Sequence, residues 1–141
     1  MPKAHLTRAV KFSAAHRYHN PMWSPERNEQ EFGACTNEHG HGHTYRCLVT
    51  VGGPVAEDTS MVIGVGQLHD ILGQEVTQRL DHKHLNLDVP DFNYGKTVPT
   101  AEALAVYIWD KVAAQLPNGV ALDRVRVKEN SDLFADYYGT P

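Results

Sequence analysis

The sequence predicts an α+β domain spanning residues 1–141: one four-stranded antiparallel sheet with two helices on one face, in the order strand, strand, helix, helix, strand, strand. Three observations predict it. Segments near both ends of the chain alternate apolar and polar side chains with the period of a strand. The middle of the chain switches to apolar residues at helical spacing. Finally, 141 residues with 41% hydrophobic and 9% aromatic content are enough for one globular core.

The first strand is read from Leu6, Val10, Phe12, Ala14 and His16, which share one parity. Residues 18–34 carry two prolines, mixed charge and no sustained period, so they read as a long loop. The second strand is the β-branched run Tyr45 to Val51, ended by Gly52-Gly53-Pro54. Ser60-Met61-Val62-Ile63 gives a short strand-like piece. From Gly66 onward Leu68, Ile71, Leu72, Val76 and Leu80 fall on one helical stripe.

Thr100 is the N-cap of a second helix whose stripe is Ala101, Leu104, Ala105, Ile108, Val112 and Leu116, stopped by Pro117-Asn118-Gly119. Leu122 to Glu129 then alternates Val125, Val127 and Glu129 against Arg124, Arg126 and Lys128. Glu129 therefore ends an apolar face, where an unpaired carboxylate is costly. A turn at Asn130-Ser131-Asp132 returns the chain as Leu133 to Tyr138.

The net charge of −4 provides no general basic surface, which disfavours a nucleic-acid partner. The longest uncharged apolar run, Ala103 to Trp109, is too short to span a bilayer, so no membrane association is expected. The first residues lack the apolar core of a secretory signal, which points to the cytoplasm. Two cysteines, Cys35 and Cys47, suit a reducing compartment, and Cys47 reads as a small buried hydrophobe within a strand.

Chemistry concentrates in the stretch from Cys35 to Tyr45, which holds Cys35, His39, His41 and His43 separated by glycines. In an extended chain His41 and His43 point the same way. If the first strand pairs antiparallel with the second, His16 arrives on that face too. Three neutral imidazoles would hold Zn²⁺ tetrahedrally with one position open, the pattern of catalytic zinc, and Cys35 would be its reactive neighbour. Two alternatives stay open: a one-ligand slip to the His39/His41 pair, and a closed structural site in which Cys35 is the fourth ligand.

Five motifs, in order, give the chain a resemblance that covers nearly its whole length. They are Phe12-Ser13-Ala14-Ala15-His16-Arg17, Cys35 followed by His41-Gly42-His43, Leu80-Asp81-His82-Lys83, Pro99-Thr100-Ala101-Glu102 with Ala105-Val106-Tyr107-Ile108-Trp109, and Val127-Lys128-Glu129. Together they resemble the 6-pyruvoyl-tetrahydropterin synthases and their relatives, the 6-carboxy-tetrahydropterin synthases of queuosine biosynthesis. The resemblance implies the T-fold, in which trimers close their sheets into a barrel and two barrels stack into a homohexamer.

It also implies 7,8-dihydroneopterin triphosphate as substrate, triphosphate elimination, and zinc on His16, His41 and His43. By the same resemblance Cys35 is the base, Asp81 and His82 complete a triad with it, Glu129 pairs with the pterin, and Thr100 and Glu102 help hold the pterin. A thiolate beside zinc and imidazole would have a lowered pKa. The longer cysteine-to-histidine spacing favours the 6-pyruvoyl product over the 6-carboxy one. Arg17 and Lys83 are the local candidates for the triphosphate. Gly64 and Ala101 depart from the family pattern and leave substrate preference open, and a catalytically silent scaffold is the reading furthest from an enzyme.

Overall fold

The computed structural model describes residues 2–141. Strand β1 (Lys3–His16) leads into a connection carrying α1 (Pro25–Phe32) and a 3-10 turn (Gly33–Thr36), then into β2 (His41–Pro54). Helix α2 (Val65–Leu72) continues through one π turn (Gly73–Thr77) into α3 (Gln78–Leu80). There follow β3 (Lys83–His84), α4 (Leu85–Asp88), a 3-10 turn (Pro90–Phe92), α5 (Ala101–Ala113), β4 (Ala121–Lys128) and β5 (Phe134–Tyr137). The architecture is the expected α+β arrangement.

The sheet has five strands in the order β3-β1-β2-β4-β5, one more than expected. The addition is the two-residue β3, which pairs parallel to β1 at Ala14 and Ala15 and is too short to carry a period. The remaining pairs are antiparallel, as predicted. β1 and β2 align from Lys3 opposite Pro54 to His16 opposite His41. Their inward residues, among them Phe12, Tyr45, Val49 and Val51, meet Leu72, Leu104 and Ile108 of the helical layer in one buried cluster.

Two expectations fail locally. Residues 18–34 are not a structureless loop, because Ser24 caps α1 by accepting from Arg27 N at 3.1 Å and Pro25 occupies the first helical turn. Only Asn28 of that helix is buried, so it has no apolar stripe to reveal it. Residues Ser60 to Ile63 form no strand; Ser60 turns the chain with φ at 60° and Ile63 enters the core from irregular backbone.

Gly64 caps α2 without a side-chain hydrogen bond, at φ −58° and ψ 128°. A Cβ there would meet only Gln67 at ordinary contact distance. Gly64→Asp should therefore supply the missing cap and lower unfolded-state entropy, raising stability by about 0.5–1 kcal/mol. Thermal unfolding should show the midpoint rising by roughly 2–4 °C.

Candidate metal centre and adjoining cleft

Strand alternation and register bring three imidazoles to one end of the sheet. His16 closes β1 directly opposite His41, which opens β2, and His43 lies two residues on along the same face. Their ligand atoms all lie within 4.8 Å of one another, and His16 Nε2 is 3.3 Å from His41 Nε2. Tetrahedral zinc with Zn–N bonds of about 2.0–2.1 Å keeps its nitrogens roughly 3.3–3.4 Å apart. The first pair already has that separation. Gly40 permits the entry into β2: its φ is +69°, and a Cβ there would collide with the His16 carbonyl oxygen.

Burial disfavours the charged form of His16 and of His43. His16 is fully buried, and desolvation, with smaller contributions from neighbouring imidazoles, lowers its pKa to about 4 against an opposing hydrogen bond to Pro99. The Pro99 carbonyl, 2.9 Å from His16 Nδ1, can only accept, so Nδ1 carries the proton and Nε2 turns its lone pair toward His41. Tyr45 Oη is also 2.9 Å from Nδ1 and adds a second restraint on the ring.

His43 supplies the observation that best fits a metal. Its Nε2 is buried with no hydrogen-bond partner, and the nearest carboxylate oxygen, Glu129 Oε2, is 3.9 Å away. Burial holds its pKa below the usual histidine value, with Glu129 opposing. A buried nitrogen left unpaired costs about 1–3 kcal/mol, whereas a divalent ion would satisfy it. Three neutral imidazoles are a donor set suited to zinc.

Cys35 sits half-buried on the 3-10 turn behind α1. Burial raises its thiol pKa, and the Glu129 carboxylate raises it further. The protein groups alone therefore oppose the lowered value expected from the sequence, because burial disfavours the thiolate and the charge acting on it, that of Glu129, is negative.

Glu129 stands one residue past β4 and is 9% exposed. Its Oε1 accepts a 2.9 Å hydrogen bond from Tyr18 Oη. Glu129, Thr100 and Glu102 line one cleft of about 580 Å³, together with Tyr18 and Phe134. The three residues expected to face the pterin thus share one cavity beside the histidines. Thr100 Oγ1 caps α5 by accepting from Ala103 N at 3.1 Å, which leaves the hydroxyl proton free to donate.

Asp81 and His82 are not part of the imidazole cluster, although His82 lines a shallow pocket together with His43. Asp81 Oδ1 accepts from Ser13 N at 2.7 Å, and His82 N donates to Ser13 O at 2.7 Å, docking the pair on a residue of opposite parity to His16. His82 Nε2 is 3.5 Å from Asp81 Oδ2, and its side chain is 85% exposed. Among the described residues no hydrogen bond joins either of them to Cys35. Arg17 and Lys83 also diverge: Arg17 donates from Nε to Thr36 O at 2.8 Å in a separate cleft, while Lys83 borders a shallow pocket with His82.

His39 is exposed in the turn before β2 and takes no part in the imidazole cluster. Sequence reasoning missed Tyr45, the Pro99 carbonyl and Tyr18. Parity could have found the two tyrosines, since Tyr45 follows His43 and Tyr18 follows His16 on the same alternating face.

The family model described as 6-pyruvoyl tetrahydropterin synthase matches residues 5–140. The chain belongs to that family. The 6-pyruvoyl tetrahydrobiopterin synthase of Drosophila melanogaster is 42% identical to it over 98% of this chain and 81% of the relative. The solved structure of 6-pyruvoyl tetrahydropterin synthase from Caenorhabditis elegans superposes with a TM-score of 0.93 at 33% identity, covering 99% of this chain and 98% of the other. The 6-carboxy-5,6,7,8-tetrahydropterin synthase of Bacillus subtilis (strain 168) is 35% identical over 74% of this chain and 70% of its own length. This member of the 6-pyruvoyl tetrahydropterin synthase family has, among the described residues, no helix long and apolar enough to cross a membrane.

Proposed function

We propose that the protein is a zinc-dependent lyase that converts 7,8-dihydroneopterin triphosphate to 6-pyruvoyl-tetrahydropterin and inorganic triphosphate. The observation that carries this reading is the buried, unpartnered Nε2 of His43, grouped with His16 and His41 and next to a carboxylate-lined cleft. Zinc held by these three imidazoles would polarise the side-chain hydroxyls of the substrate and stabilise negative charge beside Cys35.

The remaining roles belong to the chain itself. Glu129 accepts hydrogen bonds from the amino group and ring nitrogen of the pterin, while Thr100 and Glu102 border the ring. Cys35 takes the carbon-bound proton. Hydrogen from the C1′ carbinol moves to the ring, which turns that hydroxyl into a ketone. Triphosphate leaves C3′ with the electrons of its carbon–oxygen bond as C2′ loses its proton, and the resulting enol takes a proton at C3′ to become the second ketone. No external oxidant or reductant is needed.

Asp81 and His82 return a proton, the carboxylate orienting and charging the imidazole. The exposed side chain of His82, with no hydrogen bond to Cys35 among the described residues, supports delivery from a neighbouring chain and hence a homo-oligomer. The assembly we propose is a hexamer of two stacked trimers, working in the cytoplasm. Mass analysis of the product from zinc-loaded protein and 7,8-dihydroneopterin triphosphate tests the reading. The expected product is 6-pyruvoyl-tetrahydropterin with triphosphate released. A 6-carboxy product would move the protein to the queuosine branch, and absence of triphosphate release would make it a silent scaffold.

A further inference from the structure

One residue outside the expected set touches Glu129, Cys35 and His16. Tyr18 donates from its hydroxyl to Glu129 Oε1 at 2.9 Å, and its backbone N–H donates to the Cys35 carbonyl at 2.8 Å. Its ring meets that of His16 edge-on with centroids 4.8 Å apart, and meets Phe32 of α1 at 5.8 Å. Phe32 in turn stacks on Trp23 at 5.7 Å, so the phenol is braced from behind. Tyr18 also lines the cleft shared by Glu129 and Thr100.

The position of Glu129 gives this contact its meaning. Its Oε1 is held by Tyr18 while Oε2 stops 3.9 Å short of His43 Nε2. A carboxylate swinging through that gap would pair with His43, or would occupy the open position of a metal held there, and would abandon the cleft. Each carboxylate oxygen has two acceptor directions, so a hydroxyl on one lone pair of Oε1 fixes the plane of the group and leaves lone pairs for paired N–H donors.

We propose that Tyr18 is a positioning residue that holds the Glu129 carboxylate toward the cleft and off the imidazole cluster, and thereby sets affinity for the pterin. This rests on the reading of Glu129 as the pterin-binding group. Tyr18→Phe is the informative variant, because it keeps the ring contacts and the backbone bond to Cys35 and removes only the hydroxyl.

The test combines fluorescence titration of 7,8-dihydroneopterin, steady-state kinetics, and the visible spectrum of cobalt-substituted protein. Tyr18→Phe is expected to weaken dihydroneopterin binding and raise KM by about tenfold, the scale of one hydrogen bond to a charged group, with kcat within about twofold. The cobalt spectrum is expected to shift as Glu129 gains access to the metal. In a Tyr18→Phe, Glu129→Gln double variant, affinity should fall no further than with Glu129→Gln alone.

If wild-type protein turns over and Tyr18→Phe matches it in affinity, KM and cobalt spectrum, the positioning role is wrong and the reading of the site stands. If Glu129→Gln leaves dihydroneopterin affinity unchanged, the reading of Glu129 fails and takes this inference with it. A fall in kcat alone, at unchanged affinity, would also overturn it.

Discussion

Loss of zinc from His43→Ala is the largest effect expected of a single substitution in this protein. Removing a ligand-orienting partner in a metal's outer shell typically costs 10–100-fold in affinity, so removing one of three direct ligands should cost more than about 100-fold. His43 Nε2 is buried without a partner, so no protein group stands to compensate for it. Competition against a chromophoric chelator at neutral pH would measure the loss, and turnover should vanish with the metal. Metal-free His43→Ala should fold about as well as metal-free wild type, since it also removes a buried unpaired nitrogen. His39→Ala should keep full zinc affinity, because that side chain is exposed in the turn. Loss of zinc from His39→Ala with retention in His43→Ala would establish the His39/His41 pair instead.

Cys35→Ala should lower turnover by about 10²–10⁴-fold, the usual contribution of a positioned general base, while zinc content and thermal stability stay close to wild type. The cysteine lies outside the three-imidazole cluster, on a turn held by the Tyr18 N–H, and its thiol pKa is raised by burial and Glu129. Metal analysis and calorimetry alongside the kinetics separate two classes of protein. An open catalytic site keeps its zinc without Cys35; a closed, metal-stabilised binding module loses both zinc and stability. Activity retained at wild-type levels would remove Cys35 from the chemistry altogether.

Much of the imidazole cluster was readable because strand geometry is local. The parity of Phe12, Ala14 and His16, and of His41, His43 and Tyr45, needs only an extended backbone, and antiparallel pairing then sets His16 opposite His41. The second helix was equally plain, since Thr100 caps it and its apolar stripe is continuous. By contrast Asn28 is the one residue of α1 that is buried, and hydrophobic period cannot reveal a helix that buries a single polar side chain. Tyr18 keeps the parity of His16, but it opens a segment that reads as loop, where parity carries no register.

Asp81 and His82 mark the limit from the other direction. Their adjacency in sequence could not disclose that both dock on Ser13, whose side chain takes the parity opposite to that of His16. By itself the sequence determined the α+β class, the strand phases and the three histidines, because periodicity and side-chain chemistry are properties of neighbouring residues. Only the tertiary structure decided that Tyr18 grips Glu129, that His43 is left without a hydrogen-bond partner, and that the Cys35 thiol feels a carboxylate. Hydrogen bonding, burial and field all depend on groups far apart along the chain that the folded sheet draws to one end.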